Sequence, residues 1–105
     1  MGAKKGEPRL TLQTLKILGV ILSAAPSPTA GADIANVTQI ASGTLYPVLF
    51  RLEEAGWLES QWEDEDPKTL GRPRRRLYRV TALGARKTKS ALRDMKAAIG
   101  EAVWV

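Results

Sequence analysis

The chain has 105 residues, a net charge of +5 and 44% apolar residues, which is an ordinary globular composition with room for one domain. It contains neither cysteine nor histidine, so disulfides, thiolate nucleophiles, sulfur- or imidazole-bound metals and histidine general bases are all excluded. No run reaches the roughly 18 to 20 apolar residues of a bilayer span. The expectation is a cytoplasmic protein without a cofactor.

Residues 1–9 are basic and polar and read as a flexible arm. Lys4 and Lys5 precede an apolar stretch, as in a signal peptide, but Glu7, Pro8, Arg9, Thr11 and Gln13 intervene. From Thr11, a plausible N-cap, Leu12, Leu15, Leu18, Ile21 and Leu22 recur at helical spacing until Pro26 and Pro28. A short second helix is expected from Ala30 to about Val37, capped by Thr29, with Ile34 and Val37 facing the core. Asn36 to Gln39 reads as a turn.

The third helix is expected from near Ser42 to Gly56, a left-handed C-terminal stop. Leu45, Leu49, Leu52 and Ala55 form its inward stripe, with Val48 beside it. Thr44, Tyr46, Pro47, Phe50, Arg51 and Glu54 face elsewhere. Pro47 is free of cost in the first turn if Gly43 or Thr44 is the cap; a cap at Ser42 removes one ladder bond and bends the helix.

Two alternating runs follow, Trp57 to Trp62 and Arg76 to Thr81. Glu63 to Arg75 between them carries Asp66-Pro67 and Gly71-Arg72-Pro73, so the pair reads as a hairpin with a long tip. Arg72, Arg74, Arg75, Arg76 and Arg79 crowd this region, opposite the acids of Glu59 to Asp66. From Ala82 to about Ala102 a last helix is expected, with Thr81 as N-cap and Gly100 fraying its end. Leu92, Met95, Ile99 and Val103 lie on one stripe, a seam for another helix.

Three helices and a basic-tipped hairpin, in that order, define a mainly α fold with a small β-hairpin (α+β): a winged helix-turn-helix over residues 10–81, with a C-terminal dimerisation helix over 82–105. A helix fits the major groove, and arginine on a hairpin tip suits phosphate or a narrow minor groove. The residues expected at double-stranded DNA are Ser42, Gly43, Thr44, Tyr46, Pro47 and Arg51 on the helix, and Arg72, Arg74, Arg75 and Arg76 on the wing.

The residues Gly43-Thr44-Leu45-Tyr46-Pro47, Leu49 and Arg51-Leu52-Glu53-Glu54-Ala55-Gly56-Trp57-Leu58 resemble the recognition-helix signature of the PadR-like transcriptional regulators. Arg76-Leu77-Tyr78-Arg79-Val80-Thr81-Ala82-Leu83-Gly84 matches that family's Arg-Xaa-Tyr-Xaa-Xaa-Thr-Xaa-Xaa-Gly pattern at every position. The resemblance covers about residues 10–92; the Leu70-Gly71-Arg72-Pro73 turn departs from it as an insertion. It implies a dimeric repressor of the smaller type, with one C-terminal helix making the homodimer and a small aromatic or cationic effector releasing DNA.

Some side chains admit two roles. Tyr46 touches DNA through its hydroxyl, or its ring packs the helix onto the wing. Trp57 and Trp62 are packing residues. Trp104 covers the dimer seam or stacks an effector. The dimer contacts expected are Leu12 and Leu15 of the first helix with Leu92, Met95, Ile99 and Val103 of the last. The acids from Glu63 to Asp66 read as a solvated turn rather than a metal site. The function that follows is a dimeric, sequence-specific repressor on an inverted-repeat operator, and not an enzyme. The alternative is a winged-helix protein-interaction module that docks through Glu59 to Asp66.

Overall fold

Helix α1 (Leu12–Ala24) begins where the Thr11 hydroxyl accepts the Thr14 backbone N–H at 3.1 Å. Caps of this kind contribute about 1 kcal/mol. The computed structural model describes residues 7–104, and the side chains of residues 7–100. Ile17, Leu18 and Ile21 of α1 are fully buried and form the floor of the core. Leu12 at the helix start is exposed, but Leu15 is only 6% exposed within its own chain. Leu15 therefore has almost no surface left for a partner, which removes it from the expected seam. The first residues described are not a free arm: the Glu7 carboxylate meets Lys87 Nζ at 3.2 Å.

A two-residue strand β1 (Thr29–Ala30) precedes α2 (Gly31–Thr38). Thr29 is thus a buried strand residue rather than a helix cap, and the Ala30 position at the start of α2 has no side-chain capping bond. α2 runs on through the expected turn as far as Thr38, and Gln39 ends it in the left-handed region at φ 60°. Ile34 is fully buried, as its spacing predicts, but Val37 is 68% exposed. Val37 follows Ile34 by three positions, near the end of α2, and instead lines an open apolar groove with Gly19 and Val20 of α1.

Helix α3 (Ser42–Glu54) buries Leu45, Val48, Leu49 and Leu52. Its cap is Ala41, so Pro47 stands beyond the first turn and has no N–H to give the Gly43 carbonyl. At the other end Gly56 adopts φ 80°, the Trp57 N–H bonds the Leu52 carbonyl at 2.9 Å and the Gly56 N–H bonds that of Glu53 at 3.0 Å. This Schellman pair turns the chain sharply and sends Trp57, 2% exposed, back into the core.

Strands β2 (Leu58–Trp62) and β3 (Arg76–Val80) pair antiparallel, with Ser60 opposite Tyr78 and Glu59 opposite Arg79. β1 adds to the other side of β3, pairing Thr29 with Tyr78, so the expected hairpin is the larger part of a three-stranded sheet ordered β1-β3-β2. The tip between β2 and β3 is not wholly turn: Asp66 caps a single helical turn α4 (Pro67–Leu70) through the Lys68 N–H, and Gly71 closes it at φ 69°.

Helix α5 (Ala82–Trp104) is 23 residues long and runs through Gly100 without fraying. Thr81 caps it, accepting the Gly84 N–H at 3.1 Å while donating to the Gly56 carbonyl at 2.5 Å. Its first half packs on the domain, burying Gly84 and Thr88. At 1.5 Å per residue the helix spans roughly 34 Å, and its far half projects, which gives a long axis of 58 Å against 30 and 26 Å.

Candidate nucleic-acid interface

Because Leu45, Val48, Leu49 and Leu52 are turned inward, the opposite face of α3 is open. Ser42, Gly43, Thr44, Tyr46, Pro47 and Arg51 are all exposed. At 100° per residue, Gly43, Pro47, Phe50 and Glu54 form the centre of this outward stripe. Tyr46 flanks it on one side, Thr44 and Arg51 on the other. Neither the N-cap of α2 nor that of α3 makes a side-chain hydrogen bond to the first turn.

The Tyr46 ring lies across the start of α2. A Cβ on buried Gly31 would stand 2.6 Å from the Tyr46 hydroxyl oxygen and 2.9 Å from its Cε1. The ring therefore packs against the start of α2, and glycine at position 31 leaves it room. The ring stays 44% exposed, so anchoring it leaves part of its surface available. Arg51 faces away from the wing and lines a groove with Pro8, Arg9, Thr11 and Gln13.

The wing arginines divide into two pairs. Arg72 is bound by Glu63 in a bidentate contact, Nη1 to Oε1 at 2.6 Å and Nη2 to Oε2 at 3.1 Å. Arg76 Nε donates to Ser60 Oγ at 2.9 Å, Nη2 is 3.6 Å from the Glu53 carboxylate, and the guanidinium lies 5.1 Å from the Trp62 ring centre. Ser60 in turn donates to Glu53 at 2.7 Å, so this network fastens the end of α3 to both strands. These two residues build the wing. Arg74 gives Nε to the Glu65 carbonyl at 2.9 Å but remains exposed, and Arg75 keeps 41% of its side chain exposed with Asp33 no nearer than 3.9 Å. Arg74 and Arg75 are the arginines of this run that the tip presents outward.

Glu63, expected to be one more solvated acid, is the residue that organises the tip. Besides Arg72, it accepts the Arg75 backbone N–H at 2.8 Å, and its own N–H bonds the Arg75 carbonyl at 3.0 Å. The bond from Arg72, then that from Arg75, brings its carboxyl down from an ordinary 4.5 to about 2. Its contribution to wing stability is therefore complete above pH 4.5 and is lost as the pH falls from there through about 2. A carbon-13 titration of the Glu63 carboxyl is expected to show its midpoint near pH 2; a midpoint in the ordinary carboxylate range would mean that the Arg72 contact is not held in solution. An acid at the end of one strand facing an arginine-rich return was the available sequence signal, but the fork geometry is tertiary.

Val103 and Trp104, assigned to the seam and to an effector, lie outside the described side chains. Leu92 is 48% and Ile99 55% exposed on α5, with Met95 half-buried between them. Among the described residues no group of acids is placed to hold a metal ion, and no helix is long and apolar enough to cross a membrane.

An exposed helix after a helix and tight turn, flanked by a two-stranded wing with outward arginines, defines the winged-helix class of DNA-binding regulators. Solved structures agree on the fold. A probable transcriptional regulator from Pseudomonas aeruginosa superposes with a TM-score of 0.71 at 17% identity, covering 90% of this chain and 65% of the other. A PadR-like transcription factor from Bacteroides fragilis gives 0.64 at 23% identity, covering 87% and 88%. MarR from E. coli gives 0.64 at 23% identity, covering 77% of this chain and 54% of MarR. No curated protein matches in sequence. The model of the PadR-like transcriptional regulators matches residues 30–90. The chain belongs to the PadR-like family of transcriptional regulators, and it spans 65% of the length of the Pseudomonas aeruginosa regulator.

Proposed function

We propose that the chain acts as a homodimer that binds an inverted-repeat operator and represses transcription by occupying it. In this reading α3 enters the major groove, and the wing tip reaches the neighbouring backbone with Arg74 and Arg75. The observation that carries it is the division of the wing arginines: after Glu63 and Glu53 have engaged Arg72 and Arg76, Arg74 and Arg75 still present charge beside an open recognition helix. The protein-docking alternative is less favoured, because part of its acidic surface is already used within the wing. Glu63 is engaged by Arg72, and Asp66 caps α4, so two of its acids serve the fold of the wing.

Selection of bound duplexes from a random pool is expected to enrich a two-fold symmetric site. Affinity for that site falls steeply with salt, since each neutralised phosphate of duplex DNA contributes about 0.9 to the log–log slope. Arg74→Ala with Arg75→Ala flattens the slope by about 0.9 for each phosphate contact removed. No enrichment, or a slope that both substitutions leave unchanged, would overturn the reading.

A further inference from the structure

One feature of α3 fits poorly with a surface that only meets phosphates. Phe50 is 61% exposed at the centre of the outward stripe, with exposed Pro47 one turn before it. Phenylalanine has no donor or acceptor. Pressed against the polar edge of a base, it would strip water from groups it cannot bond, which is costly. The major groove offers one apolar group, the C5 methyl of thymine. Gly43, on the same stripe, has open space where a side chain would stand, so the helix backbone can come close to its target on this face. The cations Arg51, Arg74 and Arg75 around the helix complement a polyanion rather than an apolar protein surface.

We infer that Phe50 reads sequence by packing on the methyl group of one thymine in each half-site, with Pro47 closing the contact on the helix side. This rests on the operator-binding reading above. It makes Phe50 a specificity determinant: the contact favours thymine by burying its methyl group and disfavours bases that present a bare polar edge there.

The test uses the full chain and the selected operator. Each thymine of one half-site is replaced in turn by uracil, which removes the methyl group and nothing else. Binding is followed by fluorescence anisotropy for the native chain and for Phe50→Ala. At one thymine the native chain is expected to lose about fourfold in affinity, the ratio for burying one methyl-sized group at about 0.8 kcal/mol. Phe50→Ala is expected to bind the thymine and uracil forms equally there. Phe50 is exposed, so this variant keeps the native Tm. The inference is overturned if no uracil substitution weakens native binding, if the loss is the same in Phe50→Ala, or if Phe50→Ala changes the oligomeric state instead. A chain that selects no duplex at all would instead remove the operator reading itself, before any uracil is tested.

Discussion

Gly84→Ala is expected to destabilise the protein by about 3 kcal/mol or more, at the upper end of what forcing one extra carbon into a packed site costs. A Cβ at this position would fall well inside the contact distance of the Trp57 carbonyl oxygen, and within 2.9 Å of Val80 Cγ1. Little there can yield. The Trp57 carbonyl is fixed by the Thr81 N–H at 3.0 Å, and the Trp57 side chain is buried in the core. Thr81 holds the Gly84 N–H and is itself tied to the Gly56 and Trp57 carbonyls, so the start of α5 cannot shift outward without losing these bonds. For a domain of this size the fall in Tm is on the order of 10–20 °C. Gly43→Ala is the control: its Cβ meets open space, and alanine is the better helix former by up to about 1 kcal/mol. Thermal unfolding of both variants checks the contrast. A Gly84→Ala protein that melts within a degree or two of the native one would show that α5 does not sit this close to the Trp57 backbone.

The second large effect concerns the proposed seam. Leu92→Glu combined with Ile99→Glu is expected to give monomers by sedimentation and to lower operator affinity at least about 100-fold, because the gain from engaging two linked half-sites lies in the range 10²–10⁴. Both side chains are about half exposed on the projecting part of α5, so each protomer retains its own core and its helical content. What disappears is the concentration dependence of Tm that a dimer confers. The reason is geometric as well as hydrophobic. Pairing the stripe across a two-fold axis covers an apolar strip that soluble monomers rarely leave in water. It also holds two α3 helices at one spacing, which has to match about 34 Å for successive major grooves. Leu12, 64% exposed at the start of α1, is available to such a partner, whereas Leu15 is not. A double variant that stays dimeric and still holds the operator would place the seam elsewhere.

Much of this architecture follows from local chemistry. The stripe of Leu45, Leu49 and Leu52 announces α3 because helical spacing alone brings those positions to one face, and all three are buried. Thr11 and Thr81 act as caps because a hydroxyl before a helix can reach an amide two or three residues on, whatever surrounds it. Gly56 ends α3 because the left-handed turn there favours a residue without Cβ. Such interactions span a few residues, and sequence reports them directly.

Other features depend on partners far along the chain. β1 is two residues long, too short for any alternation, and exists only because β3 offers Thr29 and Ala30 a ladder. Val37 has the right spacing for a core residue but nothing above it to bury it. The charge run from Arg72 to Arg76 looks uniform in sequence. Its division into structural and outward-facing arginines was decided by Glu63 and Glu53, since a guanidinium serves whichever carboxylate or phosphate the fold brings within reach. Gly84 shows the two levels together: its place three residues after the capping threonine is visible in the sequence, while the need for glycine arises only when the first turn of α5 closes on the carbonyl of Trp57.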